Sequence, residues 1–445
     1  MAVWALHFEL ESLLVFFWAV IGRVYWSLCL RRGAMSQPRI LVIGTFDSKR
    51  SEYRYLCEQL IDKNAQIVTI DIGTFSNGLG VGSGGSSAKE TAVAGGTDLL
   101  ALQEGGDRGK AMQVMARGAE IQALKLLEQQ PFDGVIGMGG SGGSSVIGRA
   151  MQSLPLGLAK VLLSTMAGGE TSVYVGSKDV TLIPSVVDIS GLNRLSRLMI
   201  TKAAGAVLGM ASAEVTAETS SGPMIATSMF GNTTECVDVC RGILENSGYE
   251  VLVFHSTGAG GMTMESLIRD GQVEGCLDIT TTEIADHFCG GVLSAGADRL
   301  SAAGEMGIPH LIAPGCIDMV NFGPIDSVPA QYRDGDRLLY QWNPAVTLMR
   351  TNVEENRAMG QFFAEKANAA KGPLEILFPL KGVSVLDGDG ERFCDRQADQ
   401  ALFESMMDHL RPEIPVVQID ANINDAVFAH QAAERFDNMM QSRLT

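Results

Sequence analysis

Histidine is scarce, with six in 445 residues, and no H-E-x-x-H string occurs, so the usual ligand set of a zinc hydrolase is missing. The eight cysteines, Cys29, Cys57, Cys236, Cys240, Cys276, Cys289, Cys316 and Cys394, form no C-x-x-C pair. That excludes zinc ribbons and thioredoxin-type redox centres and fits reduced thiols. Cys236 and Cys240 share a helix face, where small apolar core residues are expected and no metal. Bases are also few. Lys and Arg number 34 against 51 Asp and Glu, for a formal charge of -17, which repels nucleic acid and anionic lipid at long range. A P-loop is absent, because Gly105-Gly-Asp-Arg-Gly-Lys110 has the wrong spacing and is followed by alanine. No nucleophile is named by any string.

What is present is apolar material for packed cores, 46% of residues, in a chain too long for one core. Two domains are expected, an N-terminal one over 38–218 and a C-terminal one over 223–445, with the break in Thr219-Ser-Ser-Gly-Pro223. The first 34 residues differ from the rest. They hold a Trp- and Phe-rich apolar run followed by Arg31 and Arg32, which reads either as a signal anchor or as a leader outside the native fold. Glu9 and Glu11 precede the run where a signal peptide has a basic region, so Met35 is taken as the start of a cytoplasmic protein.

From Arg39 onward, short β-branched runs alternate with helix-length segments, the pattern of βαβ units and a mostly parallel sheet. Strands are expected at 40–43, 66–71, 133–138, 160–164 and 180–183 in the first half. In the second half they fall at 224–228, 250–254, 275–279, 310–313, 374–378 and 416–420. The fold class is therefore α/β, two Rossmann-like lobes flanked by helices. Residues 73–85 read as a surface loop, and 315–341, with two prolines and no periodicity, as a long ordered loop. The strings Asn232-Thr-Thr-Glu235, Thr280-Thr-Thr-Glu283 and Thr351-Asn-Val-Glu354 have capping-box spacing and mark helix starts.

The most informative stretch is Asp133-Gly-Val-Ile-Gly-Met-Gly-Gly-Ser-Gly-Gly-Ser-Ser145, an apolar strand running into a glycine and serine loop and then a helix. Residues without side chains let a phosphate approach the backbone, and free N–H groups at a helix start supply donors. Gly139, Gly140, Ser141, Gly142, Gly143 and Ser144 are the expected phosphate ligands. Gly137, Gly139 and Gly142 satisfy G-x-G-x-x-G, but Ser164 and Thr165 stand where NAD binding needs an acid, which disfavours NAD. Gly44-Thr-Phe-Asp-Ser-Lys49 leaves the first strand at the same edge. Thr45 and Lys49 are candidates for phosphate and Asp47 for magnesium through water. Gly168 and Gly169 follow another strand in the same way.

The second half repeats the device in Glu250-Val-Leu-Val-Phe-His-Ser-Thr-Gly-Ala-Gly-Gly261, making Gly258, Gly260 and Gly261 a second anion site. His255 at that strand end is a candidate acid, base or ligand. Glu283 could join it, although its capping-box position gives it a structural alternative.

As a set, the strings Ile43-Gly-Thr-Phe-Asp-Ser-Lys49, Gly137-Met-Gly-Gly-Ser-Gly-Gly143, Ser185-Val-Val-Asp-Ile-Ser-Gly-Leu-Asn193, Phe254-His-Ser-Thr-Gly-Ala-Gly-Gly261, Leu277-Asp-Ile-Thr-Thr-Thr-Glu283, Asp318-Met-Val-Asn-Phe-Gly323 and Thr347-Leu-Met-Arg-Thr351 resemble the Tm-one-like ATP-binding family. The resemblance covers nearly everything after Arg39. It implies two α/β subdomains and bound ATP, with Mg2+, but no defined reaction. Plant members carry an additional TIM-barrel-like region, which here implies a separate partner chain. Trp342-Asn-Pro344 stands where members tend to have His-Asn-Pro, removing that histidine's role. Three functions follow as expectations. The first is ATP binding on the first glycine loop. The second is an enzyme acting on a small acidic metabolite between the lobes, with His255, Glu283 and Arg350 as working groups. The third is a non-catalytic module whose shape ATP sets for a partner protein. A homo-oligomer is expected on base rates.

Overall fold

The structure is a computed structural model that describes residues 37–213 and 222–444. The apolar leader and the 219–221 part of the expected domain break lie outside them. The described residues fall into two compact units, one over 37–213 and one over 222–444. Among the described residues no helix is long and apolar enough to cross a membrane.

The first unit is built on six parallel strands, β1 (Arg39–Gly44), β2 (Gln66–Asp71), β3 (Gly85–Ser86), β4 (Gly134–Gly139), β5 (Ala159–Ser164) and β6 (Thr181–Pro184), in the order β3-β2-β1-β4-β5-β6. β1, β4 and β5 read as nearly unbroken buried runs, as strands covered on both faces must. Leu41 and Ile43 face one apolar layer with Met115, Ala119 and Ile147, while Ile40 and Val42 face the other with Tyr53, Leu56 and Ala204. The strand order reverses between β1 and β4, and such a switch point is where open α/β sheets hold ligands.

One side chain ties the two switch-point strands together. Tyr53, on the helix Arg50–Ile61, is fully buried and accepts a hydrogen bond from Met138 N–H at 2.8 Å. Its hydroxyl lies 2.6 Å from Met138 O and 2.9 Å from Ile43 O, so its proton serves one of these carbonyls. The ring occupies the space a Cβ would need at Gly44, 2.1 Å away, which is why β1 ends in glycine.

The second unit has six parallel strands, β7 (Met224–Met229), β8 (Glu250–His255), β9 (Gly275–Thr280), β10 (His310–Gly315), β14 (Leu374–Pro379) and β15 (Val416–Ile419), in the order β15-β14-β10-β9-β7-β8. The order reverses between β7 and β9. Residues 315–341, expected to be a loop, instead contribute β11 (Met319–Phe322) and most of β12 (Leu339–Asn343). With β13 (Val346–Arg350) these make a separate antiparallel sheet in the order β11-β13-β12. The strands are short and separated by Pro324 and Pro329, which hid their alternation. Two of the three expected capping boxes are not formed: the helices Thr234–Asn246 and Thr282–Cys289 start without a side-chain cap. The third forms one residue later, between Asn352 and Glu355.

Tyr53→Phe leaves Met138 N–H and one strand carbonyl unpaired in a dry interior, and should cost about 1–3 kcal/mol. Urea unfolding of the full chain, read by hydrogen exchange of the β1 and β4 amides, checks this. An unchanged midpoint would remove the tie between the strands.

Candidate functional site

At the carboxyl edge of the first sheet, β4 runs directly into the helix Ser141–Gln152. Its N-cap, Gly140, is extended and supplies no side-chain acceptor, and the first intrahelical bond is Ser144 N–H to Gly140 O at 2.8 Å. The N–H groups of Ser141, Gly142 and Gly143 are therefore the uncapped donors of a helix start. A Cβ on Gly143 would meet nothing within 4 Å outside its own helix turn, so there is free space beside the helix start. A Cβ on Gly139 would sit 3.0 Å from Ser144 N, so that glycine serves packing.

A basic group missed in the sequence stands beside this loop. Arg108 opens the helix Arg108–Gln129, and its Nη2 lies 3.5 Å from a Cβ position on Gly142. Its only sequence signal was the failed P-loop string around it. The side chain is exposed, and among the described residues it makes no ion pair.

Other expected ligands are already engaged. Ser144 is fully buried, its hydroxyl 2.6 Å from Ser164 Oγ and donating toward Gly139 O at 3.2 Å, so it braces β4 against β5. Lys49 donates to Ile189 O, so its ammonium is committed to the loop after β6. Asp47 accepts from Ser48 N–H at 2.6 Å and Phe75 N–H at 3.0 Å, and thus anchors residues 73–75. Thr45 is half-buried at the end of β1, and Gly168 and Gly169 are exposed after β5. Contrary to the expectation that no string names a nucleophile, Gly139 to Gly143 satisfy G-x-S-x-G. Ser141 lacks the positive φ of a nucleophile elbow, and the described part of this unit contains no histidine to activate it.

The second glycine loop is built differently. Gly258, at φ +79°, precedes the helix Ala259–Arg269, and Glu283 Oε1 accepts from Gly258 N–H at 2.7 Å and Gly261 N–H at 3.0 Å. A Cβ on Gly261 would fall 2.1 Å from Glu283 Oε2, and one on Gly260 1.8 Å from His255 O. The anion this helix start holds is the chain's own carboxylate. Glu283 Oε2 in turn accepts from Arg299 Nε at 2.8 Å. Arg299 is fully buried and also meets Asp278 and Glu265. Burial pushes Asp278 up, but the Arg299 guanidinium outweighs it and holds the carboxyl well below the usual range. Burial keeps Glu283 above its ordinary value against the same pull.

Arg350 is likewise internal. It donates to Phe393 O at 2.7 Å, Thr351 Oγ1 at 3.0 Å, Asp399 Oδ1 at 2.7 Å and Asp387 Oδ1 at 3.3 Å, and is 5% exposed. Beside it, burial pushes Asp318 up to about 6; burial and the charges of Asp318 and Asp399 push Asp387 up to about 8. His255 is the exception among the three expected working groups, exposed and stacked on Phe230 with centroids 5.4 Å apart.

The class these features define is a two-lobed Rossmann-like α/β protein, with one open and one self-filled glycine loop at sheet carboxyl edges. The chain belongs to the uncharacterised protein family UPF0261, whose N-terminal domain matches residues 38–216 and C-terminal domain residues 222–440. A UPF0261 protein of Clostridium tetani is 43% identical over 91% of this chain and 99% of its own length. One from Mesorhizobium japonicum is 40% identical over 90% and 98%. The ToMV resistance protein Tm-1 of Solanum lycopersicum is 37% identical over 90% of this chain, which spans 56% of that protein.

Glu283→Ala strips two N–H groups and a buried guanidinium of their partner and should lower the stability of the second unit by about 3–5 kcal/mol. Urea unfolding with hydrogen exchange of the β9 amides measures it; a change under 1 kcal/mol, on the same scale, would refute the self-capping role. A second expectation concerns Asp286, which burial pushes up to about 7 while it accepts from Leu293 N–H and Asn321. Because its folded pKa is raised, its contribution is complete below about pH 4 and declines as pH rises through 7. Asp286→Asn should flatten the loss of stability between pH 5 and pH 8, seen in urea midpoints across that range.

Proposed function

We propose that the first unit binds a phosphate-bearing nucleotide, ATP, with its phosphates on the N–H groups of Ser141, Gly142 and Gly143. The observation that carries this is the uncapped start of the helix Ser141–Gln152 at the strand-order reversal, with Arg108 beside it. Backbone donors and the helix dipole favour an anion there whatever the chain's net charge. The carboxyl edge between β1 and β4 gives the nucleoside a place in the switch-point crevice. Mg2+ accompanies the phosphates in this reading, bound chiefly by them and water, since Asp47 is tied to backbone. The alternative of an acidic metabolite held by His255, Glu283 and Arg350 loses support, because two of those groups are consumed by internal partners.

Gly143→Val adds a branched side chain at the helix start, where a Cβ meets nothing within 4 Å outside its own helix turn. It should weaken ATP binding at least tenfold, about 1.4 kcal/mol, while leaving the urea midpoint unchanged. Isothermal titration with ATP and Mg2+, alongside ADP, GTP and NAD, tests both variant and parent. Failure of the parent to bind any nucleotide would overturn the proposal, and so would equal affinity in the variant.

A further inference from the structure

We propose that the second unit holds a divalent, thiophilic metal ion of the Zn2+ class between β9 and β10, on Cys276 Sγ, a ring nitrogen of His310 and Asp278 Oδ2. Cys276 and Asp278 are two residues apart on β9 and so project from one face, and His310 is the register partner of Cys276 on the neighbouring strand. The three ligand atoms lie within 4.8 Å of one another and all three residues are buried.

Two independent observations point to a cation. His310 is 2% exposed and, among the described residues, neither ring nitrogen has a hydrogen-bond partner, a costly state that a metal bond relieves at one of them. The charges around it do not balance either. Asp278, Glu265 and Glu283 surround the single guanidinium of Arg299, and all four are buried. Glu283 and Glu265 are further met by backbone N–H groups, which leaves Asp278 as the carboxylate whose charge a cation would balance.

The donor set fits. Asp278 Oδ1 is filled by Ser228 Oγ and Arg299 Nη2, whereas Oδ2 accepts only Arg299 Nη1 and keeps a lone pair. That oxygen stands 3.7 Å from His310 Nε2. Tetrahedral zinc with bonds of about 2.0–2.3 Å separates its ligand atoms by roughly 3.3–3.6 Å, so a small contraction closes the site. Sulfur, imidazole and carboxylate together select zinc-like ions over magnesium or calcium. Arg299 takes the place of the outer partner that orients a ligating carboxylate. Cys276 and His310 lie near the amino ends of their strands, opposite the carboxyl edge, so the ion staples the sheet and takes no part in chemistry there.

The test uses the full chain, stripped with chelator and then titrated with Co2+ or Zn2+, including a sample refolded from urea in the presence of the ion so that burial cannot block entry. One ion per chain by elemental analysis, with a near-ultraviolet thiolate-to-cobalt charge-transfer band, is the expected result. Cys276→Ser should abolish the band, and both Cys276→Ser and His310→Gln should weaken metal affinity at least tenfold, whereas Cys240→Ser changes nothing. No band and no retained zinc in the folded parent would overturn the proposal, as would binding that survives both ligand substitutions. The parent spectrum decides alone if either variant fails to fold.

Discussion

The second unit depends on a single guanidinium. Arg299 is completely buried, and a charge taken out of water at that depth is tolerable only when its donors are met by carboxylates in good geometry. Meeting them recruits Asp278 from the middle of β9, Glu283 from the helix after it and Glu265 from the helix after β8. Three consecutive elements of the chain are thereby fixed to one point. Glu265 extends the reach further by accepting from Leu300 N–H and Ala302 N–H, which sets the chain that leads into β10. Leu300 is held at φ +68°, a conformation an apolar side chain seldom adopts.

That constraint explains why two similar glycine loops have different properties. Both follow a parallel strand and open a helix, and both offer backbone N–H groups at a positive dipole end. In the second unit Glu283, held from behind by Arg299, reaches those groups and satisfies them. In the first, Ser144 turns inward to Ser164, and among the described residues no side chain caps the helix start. A glycine string reports only that the backbone is accessible. Whether the anion comes from outside or from the chain depends on a residue that is near in space and unmarked in sequence.

The parts of the fold legible in sequence are those where one physical effect dominates. β1, β4, β5, β9 and β10 are covered on both faces, so each is a short, largely apolar run closed by glycine, serine or threonine, and each was placed to within a residue or two. Strand order was not legible, because parallel strands of like composition carry no mark of their neighbours. The switch points therefore emerged only from the pairing. β11 to β13 were missed since a four- or five-residue strand in an antiparallel ribbon has too few alternations to register. At the sites, the glycines were found from composition, but the fate of charged residues was not. Arg350 stood out at a strand end and is bound on every side by Phe393, Thr351, Asp387 and Asp399, three of them far along the chain.

Lysine and arginine at the first glycine loop illustrate the same limit in the opposite sense. Lys49 follows the β1 loop at a spacing suited to phosphate, yet a single ammonium with three donors is readily captured by a nearby carbonyl, and Ile189 captures it. Arg108 comes from a helix whose start, capped by Asp107 through Lys110 N–H, lies some thirty residues upstream of the loop. The capping aspartate fixes where the helix begins, and so where the guanidinium emerges. The basic contribution to the loop is thus set by helix capping and βαβ packing, not by any local motif. In a protein with an excess of acidic residues, local positive potential at the donors has to be built this way, from one positioned side chain and the helix end it faces.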